Sequence, residues 1–251
     1  MNSKKKIYFA SDFHLGTPNE KASFERELRI IRWLDEIKRD ACEIFLVGDI
    51  FDFWFEYKHV IPKNFIRFQA KLIELHDSGI RVHLFSGNHD MWMFDYFEKQ
   101  LDLTIQREPK VYQLMNHKFY IGHGDGLGPG DYKYKMLKKV FANKLCQKLF
   151  SLVPPFIGMG IANFWSRESR AAQGHSEDKY KGNDKEWLYQ YCESELQKEH
   201  YDFFIFGHRH LPIDETLSNG KSRYINLGDW LNYNSYVVYD GEYLTLKTFK
   251  A

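Results

Sequence analysis

The chain has 251 residues, 43% hydrophobic and 27% charged, the balance of a folded protein with a sizeable core rather than of a disordered chain. Its formal net charge of +1 gives no overall reason to expect a nucleic-acid partner. Three cysteines, Cys42, Cys146 and Cys192, are odd in number and lack CxxC spacing. They are expected as free thiols rather than as disulfides or a zinc site, which fits a cytoplasmic setting.

Taken in chain order, the basic segment from Met1 to Lys6 leads straight into an apolar run, Ile7-Tyr8-Phe9-Ala10, rather than into a signal-peptide core. That run ends in Ser11-Asp12-Phe13-His14. Phe24, Leu28, Ile31 and Leu34 then recur at helical spacing. A second apolar run, Glu43 to Val47, ends in Gly48-Asp49. Phe65, Phe68, Leu72 and Leu75 predict a second helix, with Gly79 as its stop. Arg81 to Phe85 ends in Ser86-Gly87-Asn88-His89-Asp90, and Lys118 to Ile121 ends in Gly122-His123-Gly124-Asp125. Phe203 to Phe206 ends in Gly207-His208-Arg209-His210, and Asn219-Gly220 and Asp240-Gly241 mark hairpin turns beyond it. Alternating strands and helices followed by hairpins predict an α/β (α+β) core. The chain is read as one domain over 1–251, interrupted by an insertion at about 131–181.

Five apolar strands each end in a small residue followed by Asp, Asn or His. In open α/β sheets such ends converge on a ligand crevice. Asp12 and His14, like His208 and His210, are spaced i, i+2, which puts both side chains of a pair on one side of an extended chain. Alone, an Asp-x-His or a Gly-Asp is an ordinary loop; jointly, in this order, they predict a polynuclear metal site. Carboxylate, imidazole and amide donors suit manganese, iron or zinc, with no thiolate to select zinc sharply. His59, His76, His83, His117, His175 and His200 lack this context and are expected in the surface or core.

Together these motifs resemble the calcineurin-like metallophosphoesterases. The resemblance implies a four-layer αββα sandwich with two divalent cations. One would be held by Asp12, His14, Asp49 and His210, the other by Asp49, Asn88, His123 and His208, with Asp49 bridging. It implies phosphoester hydrolysis, because two cations about 4 Å apart clamp phosphoryl oxygens and acidify a bound water. His89 would stabilise charge on the reacting phosphate or protonate the leaving group, and Asp90 would orient the His89 imidazole.

The insertion suggests the substrate. From Tyr132 to Arg170 it carries eight Lys or Arg against one acid, a local balance of +7. Leu137, Phe141, Leu145, Leu149, Leu152, Phe156, Ile157, Phe164 and Trp165 lie among them. A charge-free stretch from Phe150 to Ser166 contains Pro154, Pro155, Gly158 and Gly160 and makes a poor membrane span. With the Gly48-to-Trp54 segment and the Asp125 region, this resembles the UDP-2,3-diacylglucosamine pyrophosphohydrolases of lipid A biosynthesis. That family implies a helical lid over the site and release of UMP and 2,3-diacylglucosamine 1-phosphate. It implies a phosphorylated lipid or sugar-nucleotide substrate, with Asp125, Tyr132, Ser166, Arg167, Ser169 and Arg170 as its contacts. A basic amphipathic lid further implies peripheral contact with the cytoplasmic face of the inner membrane. The chain departs from that family at His89, where many members carry arginine. The competing readings are another phosphomonoesterase or phosphodiesterase, a non-catalytic scaffold of the same fold, and a repair nuclease.

Overall fold

A computed structural model describes residues 6–130, 132–161, 179–180 and 182–250. Strands β1 (Lys6–Ala10), β2 (Ala41–Val47), β3 (Arg81–Phe85) and β4 (Ile105–Gln106) pair in parallel. They are joined by helices α1 (Glu20–Ile37), α2 (Ile66–Asp77) and α3 (Tyr96–Leu101). Strands β5 (Lys110–Leu114) and β6 (His117–Ile121) form a hairpin that begins a second sheet. After them come α4 (Tyr132–Ala142), α5 (Lys144–Phe150) and a helical segment at 155–161, here α6. A 3-10 turn (Asn183–Lys185), helix α7 (Trp187–Leu196) and strands β7 (Phe203–Phe206), β8 (Pro212–Thr216), β9 (Arg223–Leu227), β10 (Ser235–Tyr239) and β11 (Leu244–Thr248) complete the described elements. The sheet orders are β11-β10-β1-β2-β3-β4 and β5-β6-β7-β9-β8.

Three apolar clusters show how the layers stack. Between the sheets, Ile7, Phe9, Phe45, Val47 and Phe85 meet Phe119, Ile121, Ile205, Ile225 and Leu227. On the outer face of the first sheet, Ile44, Leu46 and Leu84 pack with Trp33, Leu34, Phe68 and Leu72 of α1 and α2. On the outer face of the second, Phe204, Phe206 and Tyr224 pack with Leu188 and Cys192 of α7. Central strands are therefore covered on both faces, which is why their sequences read as unbroken apolar runs. The layers are helix, sheet, sheet, helix, the predicted αββα sandwich.

Helix α1 corrects one expectation. Its buried side is Ser23, Arg26, Glu27, Ile30, Trp33, Leu34 and Ile37, whereas Phe24 is 45% exposed. The apolar stripe was placed about one residue off because two charged residues, Arg26 and Glu27, lie inside. Arg26 donates to the carbonyls of Phe13, His14 and Thr17, and Glu27 accepts from the Phe68 amide at 2.9 Å. Buried charges of this kind are stable only when so satisfied. Arg26 ties α1 to the loop that carries Asp12 and His14, and Glu27 ties it to α2.

Candidate metal centre

The ligand-bearing loops leave the carboxyl ends of β1, β2, β3, β6 and β7. Asp12, His14, Asp49, His208 and His210 all adopt left-handed backbone, with φ of 56°, 45°, 52°, 69° and 53°. Non-glycine residues rarely enter that region, at roughly 1–2 kcal/mol each. The i, i+2 pairs thus converge through tight left-handed turns, not through the pleat of an extended strand. The residue between each pair anchors the turn. Phe13 is buried against Trp230, ring centroids 5.4 Å apart, and against Phe68 at 5.9 Å. Arg209 lies buried on Glu186, Nε to each carboxylate oxygen 3.1 Å, with its guanidinium 4.8 Å from the Trp187 ring centroid.

Two glycines are required by contact alone. A Cβ on Gly87 would collide with the Asp49 carboxylate, and one on Gly207 with Asp12 and Ser11. Gly87 and Gly207 therefore leave room for the side chains of Asp49 and Asp12.

The side chains gather in two overlapping groups that share Asp49: Asp12, His14, Asp49 and His210, and Asp49, His123 and His208. His14 Nε2 faces His210 Nε2 at 3.1 Å and Asp49 Oδ2 at 3.7 Å. His210 Nε2 lies 3.3 Å from Asp12 Oδ1. In the second group, His123 Nε2 lies 3.2 Å from both Asp49 Oδ2 and Asn88 Oδ1, and His208 Nδ1 is 2.9 Å from Asn88 Oδ1. Asp49 Oδ2 is buried and accepts no hydrogen bond among the described residues.

The second nitrogens of these rings fix their orientation. His123 Nδ1 donates to the Val47 carbonyl at 2.9 Å, which turns Nε2 toward Asp49. His14 Nδ1 faces Asp52 at 3.5 Å, and His210 Nδ1 faces Asp229 at 3.6 Å. Burial alone would depress His14, but Asp12, Asp52 and Asp49 raise its pKa to about 10. His123 is likewise raised to about 10, Asp49 outweighing burial. Buried carboxylates this close together demand positive charge. An orphaned carboxylate oxygen and converging imidazole nitrogens fit divalent cations.

The remaining predicted residues divide. His89 stands at the centre, its ring 4.8 Å from that of His14 and its amide donating to Asp49 at 2.9 Å. Asp90 does not orient it. The Asp90 carboxylate accepts from the amides of Gly87, Ile50 and Phe51, at 2.7, 2.8 and 3.3 Å. It braces two ligand loops, while His89 Nδ1 meets the backbone carbonyl of Asp52 at 3.0 Å. Asp125 is buried and turned toward α4, where Tyr134 Oη donates at 2.6 Å and Lys138 Nζ lies at 2.7 Å. Tyr132 is 78% exposed and has Lys135 over its ring. The Tyr134 ring lies 6.4 Å from that of His208, with its hydroxyl turned to Asp125. Ser166, Arg167, Ser169 and Arg170 lie outside the described residues.

Asp52 and Asp229 escaped the reading from sequence. A signal for Asp229 existed, since β9 also ends in a glycine followed by aspartate, Gly228-Asp229. Asn226 is a third such residue, buried and donating to the Gly207 carbonyl.

Comparison with known proteins identifies the family. A family model described as calcineurin-like phosphoesterase matches residues 5–212. A UDP-2,3-diacylglucosamine hydrolase of Porphyromonas gingivalis is 36% identical over 264 aligned positions, 98% of each chain. The protein of that name from Proteus mirabilis is 30% identical, over 88% of this chain and 90% of its own. Among solved structures, the E. coli phosphoesterase Yfce shares 17% identity and a TM-score of 0.48, over 97% of this chain and 92% of its own. With a family match that spans most of its length, this chain belongs to the calcineurin-like phosphoesterases.

Proposed function

We propose that the chain hydrolyses the pyrophosphate of UDP-2,3-diacylglucosamine to UMP and 2,3-diacylglucosamine 1-phosphate, with manganese as its metal. The observation that carries this reading is the 36% identity over 98% of the chain to a protein bearing that hydrolase name. Two divalent cations would supply Lewis acidity and an activated water. Asp12, His14, Asp49 and His210 would hold one, and Asp49, Asn88, His123 and His208 the other. His89 gives Nδ1 to the Asp52 carbonyl, so Nε2 is the atom left for a phosphoryl oxygen. Burial lowers the proton affinity of this imidazole, and an approaching phosphate anion restores it. Ser166, Arg167, Ser169 and Arg170 would contact the polar part of the substrate.

The described part of the insertion supports a lipid-facing role. Neither α4 nor α5 has a buried residue. Met136, Leu145, Leu152 and Phe156 are exposed by 68%, 64%, 76% and 78%. Lys133, Lys139, Lys144 and Lys148 share these helices. Exposed apolar side chains among lysines suit the headgroup boundary of an anionic bilayer, and each acyl CH₂ sheltered there contributes about 0.8 kcal/mol. No helix among the described residues is long and apolar enough to cross a membrane, so the contact would be peripheral, at the cytoplasmic face of the inner membrane.

Mass spectrometry of the products from UDP-2,3-diacylglucosamine and Mn²⁺ tests the reading. UMP with the lipid monophosphate is the expected pair, and absence of both rejects it. His89, in place of the arginine common in that family, favours one second reading, a phosphodiesterase acting on another nucleotide.

A further inference from the structure

We propose that Asp125, Tyr134 and Lys138 form a latch that positions α4 over the metal centre, so that this cluster governs binding of the lipid-bearing substrate rather than bond cleavage. The inference rests on the substrate reading above and adds to it a positioning role for three residues.

Three observations carry it. First, α4 buries none of its residues, so its position depends on a few tethers rather than on a packed face. Second, those tethers are directional. Tyr134 Oη and Lys138 Nζ both reach Asp125 Oδ2, Lys138 Nζ also lies 3.1 Å from the Asp125 carbonyl, and Lys135 donates to the Gly128 carbonyl. Asp125 is itself buried, so a charged pair here is shielded from water and stronger than a surface pair. Gly126, at φ 70°, lies under the same three side chains, its Cβ position 3.5 Å from Tyr134, 3.6 Å from Lys138 and 3.8 Å from Lys135. Third, both ends of the helix run to ligand loops. Asp125 follows His123 by two residues. At the other end, Trp92 Nε1 donates to the Phe141 carbonyl at 2.9 Å, and its ring packs on Phe141 and Phe150. Trp92 in turn follows the Asn88-His89-Asp90 loop.

A small aryl phosphodiester needs the metal centre alone, whereas a diacylated sugar nucleotide also needs the lid. Lys138→Met and Tyr134→Phe should therefore raise KM for UDP-2,3-diacylglucosamine by about tenfold with kcat within about twofold. Turnover of bis(p-nitrophenyl) phosphate should stay within about twofold of wild type, since the cluster touches no reacting atom. Amide hydrogen exchange in α4 should accelerate in both variants, and Lys138→Arg should restore KM and exchange together. Equal loss on both esters would instead make the cluster a support of the His123 loop and overturn the proposal. So would unchanged KM with unchanged exchange. If the wild-type protein fails to cleave the lipid nucleotide, the substrate reading falls, while exchange in α4 still decides whether the latch exists.

Discussion

At the scale of single residues, Asp49 is the most exposed to test because both candidate ligand groups share it. Asp49→Ala should abolish turnover and lower bound metal below two per chain; retention of about a tenth of wild-type activity would contradict its shared role. Asp229 should behave differently. It touches His210 only through Nδ1, so Asp229→Asn should weaken metal binding by about 10–100-fold, read by metal titration, and excess Mn²⁺ should recover activity. No recovery at saturating metal would mean that Asp229 does more than orient a ring. The residues that converge at the centre were legible in the sequence, because their motifs follow apolar strands. Their left-handed turns were not, since apolar periodicity reports which face is buried and carries no sign of φ. Asp90 was misread for a related reason. Its position beside His89 suggested a side-chain partner, while three backbone amides of neighbouring loops were invisible until the strands were assembled.

At the scale of elements, the loops are held by charges buried beneath them. The Arg209–Glu186 pair sits under the His208–His210 turn, with Glu186 2% exposed. Glu186→Ala removes the buried carboxylate that receives the Arg209 Nε, which should cost about 3 kcal/mol and lower Tm by on the order of 10 °C. A change under about 2 °C would show that the pair is dispensable. A second pair of strands gives a pH dependence away from the metal centre. Glu43 on β2 faces His83 of β3 at 2.8 Å and pairs with Arg81. Burial opposes its ionisation, yet His83 and Arg81 hold its pKa below 4.5. A depressed acid stabilises the folded state above its unfolded value and loses that contribution as pH falls through the folded one. Stability to urea should therefore decline as pH drops below about 4.5, and Glu43→Gln should flatten that decline. An identical pH profile in the variant would remove Glu43 from the account. Strands β1, β2, β3, β6 and β7 were readable because central strands buried on both faces are apolar throughout, and α1 and α2 were read from their helical spacing. The β5–β6 hairpin and the buried side of α1 were not. The hairpin turns at Met115-Asn116, which carries no glycine signal, and Arg26 disguises an inward face as an outward one.

For the whole molecule, the proposed function has the sandwich position the chemistry and the insertion position the substrate. Leu152→Ser with Phe156→Ser should weaken sedimentation with anionic vesicles by roughly tenfold or more, given about 1.5–3 kcal/mol for each buried large side chain. The same double variant should leave hydrolysis of bis(p-nitrophenyl) phosphate unchanged. Equal vesicle binding by variant and wild type would place the lipid contact elsewhere. The fold and the cluster of Asp and His side chains follow from strand-end motifs, while the substrate reading rests on likeness to the named hydrolases, and Ser166, Arg167, Ser169 and Arg170 lie outside the described residues. The comparison of kcat/KM for UDP-2,3-diacylglucosamine with that for bis(p-nitrophenyl) phosphate, on one Mn²⁺-loaded preparation, tests this division most directly. The account predicts a preference of about a thousandfold or more for the lipid nucleotide, because only that substrate draws binding energy from the lid. Equal values would contradict it and leave a general phosphodiesterase.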